Sequence, residues 1–200
     1  MELTILHFFE SLHNPILDKI MYYITMFGEK CIFWIVIGLL TLFVLPKRYR
    51  KVGLTVAIAL VFSIIFCNLL LKNIIQRDRP FWTDPTFENL FGYFDTIDDW
   101  SFPSGHTSAS FAAAVAIRMW RKVEGSWAIL IACLVAISRV YLTVHYPTDV
   151  LVSVVLGIIY GIVAYYLVNW MINKFPRMRK VFKGGQSYLE LFRSANEEYR

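Results

Sequence analysis

Apolar runs alternate with short polar or basic turns along most of the chain. Residues 31–45 form one run, stopped by Pro46, and 52–75, 111–120, 126–144 and 150–172 follow. A membrane-spanning helix needs about 20 predominantly apolar residues, and most of these runs approach that length. Residues 16–27 are apolar but short, with Asp18 and Lys19 near their start. They cross only by joining their neighbours. In residues 1–13, Leu3, Leu6, Phe9 and Leu12 recur at helical spacing, and Ile5 and Phe8 widen that face. This predicts an amphipathic helix lying in the interface, with His7 and His13 as ordinary headgroup-level residues. Asn14-Pro15 punctuates the chain after it. The pattern predicts one all-α, membrane-embedded domain over residues 1–200. It comprises a bundle of about six transmembrane helices, a short amphipathic N-terminal helix (1–13), a core (52–172) and a cytoplasmic tail (173–200).

Composition agrees. The chain is 57% hydrophobic, with a mean hydropathy of +0.51, too apolar for an ordinary soluble domain. The formal net charge is +5, and the basic residues are clustered. Lys47, Arg48, Arg50 and Lys51 follow one run; Arg118, Arg121 and Lys122 separate two others; Lys174, Arg177, Arg179, Lys180 and Lys183 follow the last. Basic clusters beside spans mark the cytoplasmic side. The excess therefore reflects topology, and no nucleic-acid partner is expected. Segment 76–101 and the turn at His145 then face outward. Six spans put both termini in the cytoplasm, and five would put the amino end outside. Cys31, Cys67 and Cys133 lie in apolar runs with no metal-ligand spacing, so they read as small buried residues. No cleavable signal peptide is evident at the start. Residues 184–200 are polar enough for a loosely attached tail, with Glu190, Glu197 and Glu198 on a solvated face. No organelle signal is present, which points to a bacterial plasma membrane.

Three clusters carry candidate chemistry. Arg139, His145 and Asp149 fall within one short stretch between two apolar runs. Ionisable residues at the edge of a membrane segment are functional candidates. If Pro147 opens a helix, Asp149 falls in its first turn, able to orient one imidazole nitrogen of His145 and free the other to attack. Lys72 and Arg79 are seven residues apart, on one face if a helix runs through both and ends at Pro80. Taken alone, that pair is better explained by lipid-headgroup binding than by catalysis. Arg77, offset from that face, reads as a surface contact. In Pro103-Ser104-Gly105-His106, Ser104 is a natural N-cap, Gly105 allows close backbone approach, and His106 stands beside the resulting anion site. Ala109, Ala112, Ala113 and Ala114 suit close helix packing. Three cations, a helix start, two histidines and a carboxylate make an inventory for phosphoryl transfer.

The motifs Lys72…Arg79-Pro80, Pro103-Ser104-Gly105-His106 and Ser138-Arg139…His145…Asp149 resemble, in order and without departure, those of the type 2 phosphatidic acid phosphatase superfamily. The resemblance extends from about residue 52 to 172. It implies that His145 is a nucleophile forming a phosphohistidine and that Asp149 orients it. It makes His106 the general acid, then the base for the hydrolytic water. Lys72, Arg79, Arg139, Ser104 and the backbone of Gly105 become the phosphate clamp, with no metal and no cofactor. The implied partners are a lipid phosphate substrate and membrane lipids, with the site at the outer leaflet. Small bacterial members hydrolyse phosphatidylglycerophosphate, the preferred expectation here, or undecaprenyl pyrophosphate. A non-catalytic headgroup binder or transporter and a haloperoxidase are the rival classes. Finally, the loop 81–102 holds many aromatics among carboxylates and either lies on the membrane beside the site or simply connects two spans.

Overall fold

The computed structural model describes residues 1–182, so the expected tail at 184–200 lies outside the described residues. The described chain is helical throughout. Helix α1 covers Glu2–Glu10, α2 Pro15–Gly28, and α3 Ile32–Leu39, which continues into a π-helical stretch Leu40–Val44. Helix α4 (Lys47–Phe62) runs through a wider π-helical stretch, Ser63–Leu71, into α5 (Lys72–Ile75). A short α6 (Pro80–Thr83) opens the long loop. Then come α7 (Gly105–Trp120), α8 (Lys122–Tyr141), α9 (Pro147–Lys174) and α10 (Pro176–Phe182).

Helix α7 is the axis of the bundle. Its alanines at 109, 112, 113, 114 and 116 are all buried, and α4, α8 and α9 pack around it. Small residues let the backbones approach closely, which is how helices associate in lipid. Opposite them, α9 presents Gly157, where an added Cβ would lie 2.6 Å from the Ser108 carbonyl oxygen. Polar side chains in the middle of the bundle pair between helices: Trp34 Nε1 donates to Ser110 Oγ at 2.9 Å, and the Ser63 and Ser108 hydroxyls pair at 2.9 Å. Large apolar side chains such as Leu69, Leu151, Val155 and Trp170 face outward, as lipid-facing positions do. Three helical segments, Lys47–Thr83, Lys122–Tyr141 and Pro147–Lys174, are long and apolar enough to cross a membrane.

Helix α2 stays at one end of the bundle. Both its ends meet the same end of the bundle. Near its start, Asp18 accepts from the Tyr141 hydroxyl at 2.6 Å; near its end, Thr25 Oγ1 accepts from Arg139 Nη1 at 2.6 Å. It lies obliquely across the end where α8 stops. Helix α3 with its π-helical extension then runs down the bundle, α4–α5 return, and α7, α8 and α9 alternate in direction. The amino end meets the start of α9, where Glu2 accepts from the Thr148 hydroxyl at 2.6 Å, and so is at the opposite end of the bundle from the close of α9. There, Arg50 Nη1 donates to the Val181 carbonyl at 3.4 Å, tying α10 to α4. The N-terminal amphipathic helix is present as expected. Its histidines, however, are not idle: His7 bonds Glu10 and Asp84 and stacks on Phe87, and His13 Nε2 meets the Tyr141 carbonyl oxygen. They dock α1 onto the loop and α8.

Candidate active site

The start of α5, the start of α7, the end of α8 and the turn before α9 converge on one cavity of about 250 Å³. Its lining includes Lys72, Arg79, Arg139, His106 and His145 together with Gly105. Lys72 and Arg79 do not reach it along one helix. Gln76 adopts a left-handed conformation (φ 47°) and ends α5, and Pro80 opens α6 instead of closing its predecessor. A proline, lacking the N–H and with φ already fixed, suits a first turn. The two cations meet because the break folds Arg79 back. Both engage the carboxylate of Asp99, on the long loop. Burial alone would raise the Asp99 carboxyl; Lys72 and Arg79 outweigh it and hold it below the usual carboxylate range. Arg139 approaches from α8, with Nη1 on the Thr25 hydroxyl and on Tyr93 OH at 2.5 Å, while its Nε is buried without a partner.

His145 is 1% exposed and sits in the turn between α8 and α9. Arg79 Nη1 bonds the Val144 carbonyl at 2.7 Å and lies 3.4 Å from His145 Nε2. On the other side of the ring, Nδ1 is 3.6 Å from Asp149 Oδ2, longer than a hydrogen bond. Ser101 fills the gap: its hydroxyl lies 3.5 Å from Nδ1 and donates to Asp149 Oδ2 at 2.5 Å. Asp149 stands in the first turn of α9, as its position after Pro147 predicts, and accepts the Tyr146 N–H at 3.0 Å. Its other oxygen accepts from Arg77 Nη1 at 2.6 Å, and Arg77 Nη2 bonds Glu2 at 2.5 Å. Arg77 is thus a partner of the inner carboxylate and not a mere surface contact. This arrangement favours a proton on Nδ1, leaving Nε2 to face the cavity. Burial first, then Arg79, Arg139, Lys72 and His106, push the His145 imidazole well below its ordinary range. A neutral imidazole with a free Nε2 lone pair can attack phosphorus.

Ser104 occupies the position before α7, but its hydroxyl pairs with Thr107 Oγ1 at 3.0 Å and makes no capping bond. It is fully buried and absent from the cavity lining. Gly105 does line it, and close approach is needed there: an added Cβ would fall 2.5 Å from Asn68 Oδ1. His106 Nε2 lies 3.2 Å from Glu29 Oε2. A histidine so placed can carry a proton to or from an ester oxygen.

Residues 49–172 match the PAP2 superfamily, which is over half of the chain. The chain belongs to this family. A decaprenylphosphoryl-5-phosphoribose phosphatase of Mycobacterium tuberculosis is 36% identical over 135 residues, 68% of this chain and 71% of the relative. An undecaprenyl-diphosphatase of Sulfolobus acidocaldarius is 34% identical over 146 residues, 70% of this chain and 66% of the relative. Among solved structures, a transmembrane PAP2-type phosphatidylglycerolphosphate phosphatase from Bacillus subtilis superposes with a TM-score of 0.64 at 28% identity, covering 87% of this chain and 85% of that one. The protein is a membrane phosphatase of lipid phosphates, with helices as the regular elements of its described residues.

Six of the eight site residues expected from the motifs line the cavity; Asp149 stands behind His145, and Ser104 lies apart from the cavity wall. The motifs alone did not give Glu29, Thr25, Tyr93, Asp99 and Ser101. Tyr93 and Asp99 show that loop 81–102 forms part of the site wall. Its rings divide in two: Phe81 and Phe94 stack at 4.1 Å, whereas Trp82 and Phe91 are exposed.

Proposed function

We propose that this protein hydrolyses a lipid phosphate in two steps at His145. Nε2 attacks phosphorus, the alkoxide or phosphate leaves with a proton from His106, and a water activated by His106 then releases the phosphate. Lys72, Arg79 and Arg139 stabilise the equatorial oxygens, where charge accumulates in the transition state. The observation that carries this reading is the buried His145, with one nitrogen facing three cations and the other facing Ser101 and Asp149. Gly105 lines the cavity at the start of α7 and admits the Asn68 side chain against that turn, which Ser104 supports through Thr107. Turnover needs no metal, because the three cations already supply the positive charge.

The first candidate substrate is phosphatidylglycerophosphate, yielding phosphatidylglycerol and phosphate; the name and high mutual coverage of the Bacillus subtilis structure support it. Undecaprenyl pyrophosphate is the second, supported by the Sulfolobus acidocaldarius relative and by an undecaprenyl-diphosphatase of Bacillus subtilis at 33% identity. The site faces the outside of a bacterial plasma membrane in this reading, because the basic clusters 47–51 and 118–122 are at the other end. A lone cysteine at Asp95, with Cys31, Cys67 and Cys133 removed, should react from outside intact cells; reaction only after permeabilisation would reverse the orientation. Phosphate release measured on both lipids in chelator tests the rest. Turnover of at least one is expected to persist. Activity lost in chelator and restored by magnesium would count against the mechanism.

A further inference from the structure

Asp99 has no role in the steps above, yet it is seated on the phosphate clamp. Its carboxylate bridges Lys72 and Arg79, whose side chains are only 8% and 3% exposed. Arg79 in turn lies 3.4 Å from His145 Nε2. An anion is therefore held within one guanidinium of the nucleophile, at the place a phosphoryl group must reach. Asp99 itself is 51% exposed, so its side chain has an open path away. The loop need not leave with it. Arg79 Nε bonds the Asp99 backbone carbonyl at 2.8 Å, an anchor independent of the carboxylate. Arg139, the third cation, is not bonded to Asp99; it is engaged by Thr25 and Tyr93.

We infer that Asp99 is a specificity-determining residue whose carboxylate occupies the clamp until a phosphate dianion displaces it, so that phosphodiester headgroups are rejected. The inference rests on the proposed role of Lys72 and Arg79 as the phosphate clamp. Charge decides the competition. A phosphodiester carries one negative charge, the same as the carboxylate, and cannot outcompete a group tethered beside the site at an effective concentration in the millimolar range or above. A phosphomonoester or a terminal pyrophosphate brings a second charge and three free oxygens, which can also engage Arg139. The setting makes this discrimination useful. A clamp of three cations opening at a membrane surface faces a dense layer of diester headgroups, any of which would otherwise fill it.

The test compares Asp99→Asn with the unaltered protein in detergent micelles, using orthovanadate and phosphatidylglycerol as probes. Asparagine keeps the shape and removes the competing charge. Vanadate should then raise the thermal midpoint at roughly tenfold lower concentration, the scale of one lost charge-assisted bond. Phosphatidylglycerol, inert toward the unaltered protein at the same level, should become a competitive inhibitor of phosphate release. Asp95→Asn, on the same loop, should change neither value. If Asp99 merely props up Lys72 and Arg79, the sign reverses: Asp99→Asn would bind vanadate more weakly, which overturns the inference, as would unchanged binding of both probes. Lys72→Ala separates the two levels of the reading. Loss of vanadate stabilisation there, without tightening in Asp99→Asn, refutes only the role of Asp99. No loss there refutes the clamp, and this inference with it.

Discussion

Glu29 gives the sharpest prediction about the second histidine, because it lies outside the residues that match the family. Glu29→Gln keeps the size of the side chain and removes its charge. What is lost is the interaction at 3.2 Å with His106 Nε2, together with the weaker one from Tyr93 OH at 3.4 Å. A charge-assisted hydrogen bond contributes about 1.5–3 kcal/mol when well shielded. Here the two side chains are 19% and 35% exposed, so solvent screening reduces this to about 1 kcal/mol. That corresponds to roughly fivefold in rate. Glu29 is a positioning residue: it acts through His106, so its loss should depend on the leaving group. The assay is kcat across soluble phosphate esters, from nitrophenyl to simple alkyl. Alkyl esters, which need a proton on departure, should lose about fivefold, and the nitrophenyl ester much less. In a His106→Ala background the Glu29 change should add nothing further. An equal loss on every ester, or full additivity with His106→Ala, would refute the reasoning and make Glu29 a packing residue.

Two further outcomes follow from the geometry. Gly157→Val places a side chain within 2.6 Å of the Ser108 carbonyl oxygen and 2.7 Å of Phe111 Cβ; it should destabilise the α7–α9 contact by about 1–3 kcal/mol, read as a lower thermal midpoint in detergent, and an unchanged midpoint would mean the contact is looser than described. Folding stability should also fall as pH drops below about 6.5, where the unfolded His145 takes up a proton that the buried folded imidazole refuses. Above that pH both forms are neutral and His145 contributes no slope. His145→Asn should flatten this part of the stability profile, and an identical slope in the variant would contradict a depressed His145.

Much of the site was legible in the sequence because phosphate chemistry restricts which residues can do the work. Lys72, Arg79, His106, Arg139, His145 and Asp149 stand at fixed spacings on four segments, and the chain brings all six together. What was not legible depends on long-range contact or local backbone. Asp99 and Ser101 lie on a loop without periodicity and meet partners 20 to 48 residues away. Thr25 and Glu29 reach Arg139 and His106 across 114 and 77 residues. The stop at Gln76 had no warning, since a non-glycine residue in a left-handed conformation carries no sequence mark of its own. Residues 16–27 were ambiguous for a physical reason: a short apolar helix looks the same in composition whether it crosses the bilayer or lies obliquely over the site. Side-chain partners near both ends of α2 place it at the end of the bundle where α8 stops.

The central claim is a covalent intermediate on His145. Rapid acid-free quenching during turnover of a labelled lipid phosphate, followed by peptide mapping, reads it directly. A phosphoryl group is expected on His145, stable in base, labile in acid and absent from His145→Ala. Labelled phosphate on any other residue, or normal phosphoenzyme in His145→Ala, would contradict it.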